Sequence, residues 1–451
     1  MANSESDGIL MFKAQAGPNV NSNTLSYDIS LVSNGETYPV NQLYKNIVQN
    51  ENKASALTIL NNKNFYLAIE YKNKEGQLVA KQQDYSSYDN YGMPVYDTMY
   101  TYYVYDQFGN LTYVLPPGVG ENPSEAVLSG ICYSYKYDGR NRLVEKQIPG
   151  KQWEYIVYDV LDRPIMTGPA LTPFGGTTSG VADMGWMVNI YDAFGRVAIT
   201  GWVSGKVSAA TRKTQQVTYG GTSILTAVRG SSTIDGVAIG YTITGPGLPA
   251  GFKILSVNYY DDYTWPGAPI LPSDVEGQAV RSNVKGMPSG SWTRVLSSAT
   301  SASDNEVSYI FYDTRGRAVR SYVKNYLGGY NQVDTKLDFT GKPITTITHH
   351  KRTSATADAV MTTTENFTYD AQDRVVSHGH NINGVTNQTL SDNTYDELGH
   401  LITKRLGIYR PTTSSPIQPM QTVDYKYNIR GWLTDCLLYT SDAADEGLGV
   451  D

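Results

Sequence analysis

Acidic side chains are the groups in this 451-residue chain whose number most readily suggests chemistry. Two carboxylates about 5 to 9.5 Å apart across a cleft can hydrolyse a glycosidic bond, and Asp89, Asp106, Asp138, Asp159, Asp192, Asp313, Asp370 and Asp396 are candidates. Each of them follows a tyrosine and precedes, three positions on, a Gly, Asn or Asp. That shared context favours a turn-capping role over acid–base catalysis. Asp261 and Asp262 stand apart among Tyr259, Tyr260 and Tyr263, but no further ligands are spaced to complete a cation site. His349-His350 and His378-x-His380 lack the cysteine or His-Glu-x-x-His partners of a zinc centre and read as solvated strand residues. Gly175-Gly176 and Gly220-Gly221 lack the Gly-Lys-Thr/Ser ending that cradles phosphate. The two cysteines, Cys132 and Cys436, exclude a disulfide framework, and Cys132, ahead of an alternating strand, is expected to be buried and inert. No catalytic, cofactor-binding or metal-binding residue is assigned, and the chain is not expected to be an enzyme.

The recurrent element is Tyr, then Asp or Asn, two free positions, then Gly, Asn or Asp. It begins at Tyr88, Tyr105, Tyr137, Tyr158, Tyr191, Tyr312, Tyr369, Tyr395 and Tyr427, with a further match at Tyr330. Composition alone would give about one match. Asn73-Lys74-Glu75-Gly76 and Asp338-Phe339-Thr340-Gly341 are weaker copies without the tyrosine. An Asp opening a type I turn accepts backbone N–H groups further along, and Gly at the fourth place takes the left-handed conformation that closes a hairpin through a bulge. The structural turn residues are thus Asp106 and Gly109, Asp138 and Asn141, Asp159 and Asp162, Asp192 and Gly195, Asp313 and Gly316, Asp370 and Asp373, Asp396 and Gly399, and Asn428 and Gly431. The non-glycine occupants are types that tolerate positive φ. A long polar or basic residue follows in most copies (Asn110, Arg142, Arg163, Arg196, Arg317, Lys342, Arg374, His400), then usually an apolar one, as a returning strand requires. Pro94, Pro164 and Pro343 occupy that apolar slot, which places their strands at an edge or turns the residue away from the ladder.

From Tyr105 the steps between tips are 32, 21 and 33 residues, and from Tyr312, counting Leu337, they are 25, 32, 26 and 32. The alternation suggests a unit made of a pair of hairpins, stacked so that each covers its neighbour's apolar face. The expected fold is all-β, a stacked β-hairpin solenoid forming a curved sheet or partial shell. Residues 1–64 form a β-rich lead-in, 65–204 a first repeat block, and 205–264 a Thr/Ser/Gly-rich β insertion with a degenerate copy at Tyr260-Asp261-Asp262. Residues 265–435 form a second block and 436–451 a non-repeat acidic tail. Stretches 115–125, 169–185, 265–305 and 410–420 read as Pro/Gly/Ser-rich connections, with one short helix near 123–130.

Composition narrows the classes further. The 36 Tyr against 9 Phe put a hydroxyl on most large rings, which suits half-wet β-surfaces. A net charge of -7 with no Lys/Arg run lacks the footprint of a nucleic-acid binder. No apolar run approaches the length of a membrane span, and residues 1–20 carry no secretory signal pattern. Stacking on sugar rings is the main alternative for the aromatics: the motif tyrosines are expected to pack on adjacent hairpins, and Trp153, Trp186, Trp202 and Trp265 stay open for surface glycans.

The repeats resemble those of bacterial RHS (rearrangement hot spot) and YD-repeat proteins, related to insecticidal toxin-complex shells and teneurins. The resemblance extends from about residue 40 to about residue 434 and is carried by Glu70 to Gly76, Tyr102 to Pro117, Tyr135 to Gly150, Asn258 to Tyr263 and Tyr425 to Leu433. It implies a β-strip spiralling into a hollow shell, a fragment of a secreted or cell-surface polymorphic toxin whose partner is its own C-terminal toxin or effector segment. The family's Asp-dependent self-cleavage segment and variable effector region have no counterpart here. The alternative is a surface adhesion or carbohydrate-binding repeat module. The repeat at Tyr427 is expected to break off at Asp435. Cys436 to Asp451 is similar to translated sequencing-adapter DNA, the other reading being a disordered acidic tail.

Overall fold

The computed structural model describes residues 2–4, 7–16, 28–33, 35–49, 67–88, 94–174, 184–296, 304–385, 387–409 and 418–440. The chain divides into two compact units, one of residues 1–228 with 242–253, the other of residues 229–241 with 254–451. Both are built mainly of antiparallel strands.

In the first unit the strands Tyr44–Gln49, Leu67–Lys72, Leu78–Tyr88, Pro94–Tyr105, Leu111–Leu115, Tyr133–Tyr137, Leu143–Gln147, Glu154–Tyr158, Pro164–Leu171, Met184–Asp192 and Val197–Ser204 follow one another, each antiparallel to the next. Strands Lys13–Ala16 and Ile29–Val32 pair separately. Residues of this N-terminal region cover part of one sheet face: Ile9, Phe12 and Leu43 share a buried cluster with Tyr71, Val104 and Leu115.

In the second unit the order Val284–Arg294, Asn305–Tyr312, Ala318–Lys324, Gly328–Leu337, Pro343–Thr353, Met361–Tyr369, Val375–Ile382, Gln388–Tyr395, Leu401–Tyr409, Gln418–Tyr427 and Leu433–Thr440 is likewise a meander of antiparallel neighbours. From Pro343 to Ile408 its described residues are half-buried or exposed, whereas Ile165, Met166, Val188, Ile190, Ala198 and Ile199 of the first unit are buried. The Thr/Asn/His-rich strands of the later repeats leave both sheet faces wet.

Several expectations change in this light. What joins one hairpin to the next is a backbone ladder, edge to edge, rather than a stacked apolar face. Every step counted from Tyr105 to Tyr191 and from Tyr312 to Tyr427 adds two strands. The alternating step length therefore reflects strand length and the connections at the opposite edge, such as 148–153 against 116–132, rather than a two-hairpin unit. Strand Pro164–Leu171 is paired on both sides, so Pro164 is not at a sheet edge; it is the first strand residue, where its missing N–H costs nothing to the ladder.

The 265–305 stretch, read as a connection, contains strand Val284–Arg294. Its Gly286 and Pro288 break the alternating pattern because they sit at register shifts against Tyr259–Asp261. The pairing does not stop at Asp435: Leu433–Thr440 is a return strand in register with Gln421–Tyr427, and residues 441–451 lie outside the described residues.

Two helices occur among the described residues. The first, Glu125–Ile131, is the expected short one, capped by Ser124. The second, Ala209–Tyr219, lies in a region read as β-rich. Ser208 and Thr211 form a reciprocal capping box at its start. Its buried face is polar: Arg212, Gln216 and Tyr219, four and three residues apart, turn inward. Arg212 Nε lies 3.4 Å from Glu145, whose side chain is also buried. Gln216 donates to the Tyr158 carbonyl at 2.7 Å and accepts its N–H at 3.0 Å. No apolar periodicity announces this helix, because its docking uses hydrogen bonds and a buried ion pair. Neither helix is long and apolar enough to cross a membrane.

Replacing Gln216 with Ala leaves both backbone groups of Tyr158 without that partner. A loss of about 1–3 kcal/mol is expected in denaturant unfolding, with faster amide exchange across Ala209–Tyr219; an unchanged midpoint would contradict the docking described.

Candidate functional site

The hairpin tips are where the recurrent residues meet. In the turns that open on Asp or Asn, a type I turn is closed by an N–H donated from the fourth turn residue to the carbonyl of the first, and by a second bond one residue further out. At the 105 tip these are Gly109 N–H to Asp106 O at 3.1 Å and Asp106 N–H to Asn110 O at 2.9 Å. The fourth position has positive φ throughout: Gly109 at 85°, Asn141 at 59°, Asp162 at 61°, Gly195 at 79°, Gly316 at 80°, Asp373 at 66°, Gly399 at 92° and Gly431 at 77°.

The aspartate's Oδ1 accepts two backbone N–H groups, two and four residues on. For Asp159 these come from Leu161 and Arg163, both at 2.9 Å, and for Asp313 from Arg315 and Arg317, also at 2.9 Å. Asp106, Asp138, Asp192, Asp370 and Asp396 repeat the pattern, and Asn428 does so through its amide oxygen. Asp89 lies outside the described residues.

Oδ2 takes the basic residue that follows the turn: Nε of Arg142, Arg163, Arg196, Arg317 and Arg374 approaches it at 2.8, 2.7, 2.7, 2.7 and 2.6 Å. Asp138 and Asp159 are fully buried. A buried carboxylate is tolerated only when its lone pairs are filled, and here they are.

Burial pushes the Asp313 carboxyl up, but the Arg317 N–H and guanidinium and the Arg315 N–H outweigh it and hold the group below its ordinary value. For Asp370 the Arg374 N–H is the leading cause, and the direction is again downward.

The same residues reach sideways. Arg142 sends Nη1 to the Asp159 carbonyl of the next tip at 3.2 Å, and its guanidinium sits 4.8 Å from the Tyr158 ring centre. Arg163 sits 4.6 Å from Tyr191, Arg374 4.5 Å from Tyr395 and Lys342 5.3 Å from Tyr369.

The tyrosines answer in the other direction. In six of them the hydroxyl donates to the carbonyl of the first return-strand residue of the preceding hairpin: Tyr137 to Leu111 at 2.9 Å, Tyr158 to Leu143 at 2.9 Å, Tyr191 to Pro164 at 2.8 Å, Tyr369 to Pro343 at 2.8 Å, Tyr395 to Val375 at 2.9 Å and Tyr427 to Leu401 at 3.1 Å, while Tyr312 donates to the Pro288 carbonyl at 2.8 Å. Burial pushes the Tyr137 hydroxyl up to about 12 and raises those of Tyr158, Tyr191 and Tyr369, so they remain donors at neutral pH. Sequence reasoning placed the turn but missed this lateral lock. The signal was the basic residue recurring immediately after the positive-φ slot.

The remaining candidates fall elsewhere. Asp261 has φ 76° and accepts the Gly286 N–H at 2.7 Å, while Asp262 pairs with Arg229 at 3.0 Å. Trp186, Trp202 and Trp265 are buried, and Trp153 is half-buried beneath Lys136. His349 meets Thr362 at 3.0 Å and His378 meets Glu365 at 3.1 Å. Among the described residues no three His, Cys, Asp or Glu gather as a metal site. Burial pushes the Cys132 thiol up to about 11.

No protein-family model and no curated protein matches the chain. Solved structures similar along most of it include the crystal structure of TcdB2-TccC3-TEV, at 13% identity and a TM-score of 0.22, covering 84% of this chain and 19% of that one. The crystal structure of TcdB2-TccC3 is similar at 11% identity and a TM-score of 0.22, with 83% and 25% covered. The Photorhabdus luminescens Tc holotoxin pore with the TccC3-D651A mutation is similar at 11% identity and a TM-score of 0.19, with 85% and 25% covered. The chain thus spans a quarter or less of these proteins' length. At such scores the superpositions carry no argument, and the reading rests on the turn geometry.

Gly195→Val and Gly316→Val force a β-branched residue into left-handed backbone. Each is expected to lose at least about 1–2 kcal/mol in denaturant unfolding, whereas Asn141→Gly stays within about 0.5 kcal/mol; equal effects would contradict the turn assignment. The depressed carboxyls of Asp313 and Asp370 contribute stability above the unfolded value of about pH 3.9, lost as pH falls through their lower folded values. Melting followed by circular dichroism should therefore decline on acidification below pH of about 4, and Asp313→Asn should flatten that decline.

Proposed function

We propose that this chain is wall material: part of an RHS/YD-type β-shell that encloses a polypeptide and has no catalytic group of its own. The observation that carries the reading is the lateral lock. Tyrosine hydroxyl, turn-capping aspartate and basic side chain recur at successive tips and tie neighbouring hairpins, so the sheet can lengthen without needing a separate core for each repeat. The half-wet strands from Pro343 onward suit a single-layer wall with aqueous surroundings on both faces.

Enclosure would act by exclusion, keeping a cargo chain from solvent and from the producing cell. In this reading the cargo is the protein's own C-terminal toxin or effector segment, and the whole is a secreted or cell-surface bacterial polymorphic toxin. The burial of Trp186, Trp202 and Trp265 and the engagement of the motif tyrosine hydroxyls leave these groups poorly placed to stack on sugars.

Electron microscopy and limited proteolysis of the full-length gene product containing this segment test the reading together. A hollow particle with a protease-protected interior segment is expected. An extended rod whose segments are all cleaved at comparable rates would overturn it.

A further inference from the structure

One junction in the second unit departs from the others. Where Arg374 holds Tyr395 with a permanent charge, the corresponding residue of the next tip is His400. Its Nδ1 lies 2.9 Å from Asp396 Oδ2, and its ring stacks on Tyr427 with centres 4.8 Å apart and an interplanar angle of 21°. A Cβ built on Gly431 would lie 3.0 Å from His400 Nε2, so the following turn closes tightly over the imidazole. That turn is also the one capped by Asn428 instead of Asp. The fixed cation of the usual arrangement is therefore replaced at this junction by an imidazole, the side-chain type that ordinarily changes charge near neutral pH, while its own turn's carboxylate is kept.

We propose that the junction between turns 395–400 and 427–432 is a proton-dependent clasp, closed by the imidazolium of His400 and loosened when the ring is neutral. The protonated ring repeats what arginine does elsewhere: it donates to its own turn's carboxylate and presents a cation to the next tyrosine. The neutral ring keeps the stacking but loses the charge on both contacts.

Ionisable groups of both signs surround His400. Asp396 is its carboxylate partner, and Glu397 stands in the same turn. From the preceding tip, Arg374 reaches the Asp396 carbonyl at 3.4 Å, with its own charge met by Asp370 at 2.6 Å. From the following turn come the Tyr427 ring and Arg430, the latter 5.6 Å from the Trp432 ring centre. The clasp secures the last described hairpin, Gln418–Tyr427 with Leu433–Thr440, whose outer strand pairs on one side only among the described residues.

Hydrogen exchange of the full chain at pD of about 5.5 and about 7.5, corrected for intrinsic rates, tests it. Amides of Gln418–Tyr427 and Leu433–Thr440 should open about 2- to 5-fold more at the higher pD, with those of Met361–Tyr369 nearly unchanged. His400→Arg should remove the dependence and keep opening low at both values; His400→Gln should remove it and keep opening high. His378→Gln, which breaks the other histidine–carboxylate pair, should retain the wild-type dependence. A His400→Arg variant that keeps the dependence, or a His378→Gln variant that abolishes it, overturns the clasp. The arginine variant preserves the geometry of the other tips and decides the matter even if the glutamine variant does not fold.

Discussion

The fold depends on satisfying the hydrogen-bond acceptors of the aspartate that caps each hairpin tip. A carboxylate with 0% exposure, as at Asp138 and Asp159, is strongly unfavourable unless its acceptor positions are filled. The type I turn supplies two backbone N–H groups to one oxygen, and the basic residue after the turn supplies the other contact. Turn geometry, the positive-φ position and the basic residue are thus consequences of one electrostatic demand. The demand also reaches outward, because a guanidinium spent on one aspartate by its Nε still has Nη groups and a planar face to offer the neighbouring tip.

That outward reach explains how so polar a sheet keeps its register. Strands such as Met361–Tyr369 and Val375–Ile382, with threonine, asparagine and histidine on both faces, lack the buried stripe that normally forbids a slip by one residue. The tip substitutes for it. A bulge follows each turn, as between Thr368 and Tyr369, and the tyrosine hydroxyl finds a carbonyl in the preceding hairpin only in one alignment. Tyrosine suits this role better than phenylalanine, since one end packs under a cation while the other donates a hydrogen bond, which contributes to the excess of Tyr over Phe.

The turns were legible in the sequence because their chemistry is local: Asp106 and Gly109 lie three residues apart and specify the bend without help from the rest of the chain. The all-β character followed from the same spacing. The Ala209–Tyr219 helix was not legible, since its inward face is Arg212, Gln216 and Tyr219 and its partners are a buried glutamate and a strand backbone far away in sequence. Strand Val284–Arg294 was hidden by two glycines and a proline that serve register shifts, and the Leu433–Thr440 pairing by a tail that does not resemble the repeat. The cross-hairpin tyrosine bond was half visible: its residue types recurred at fixed positions, but which carbonyl each hydroxyl meets depends on sheet register.

A double-mutant cycle on adjacent tips addresses the lateral lock most directly, using Arg163→Met and Tyr191→Leu, whose side chains meet at 4.6 Å. If neighbouring hairpins are held by this contact, the two losses of stability in denaturant unfolding should be non-additive by about 0.5–1 kcal/mol. Strict additivity would mean that the tips stand independently, and the wall would have to be held by something else.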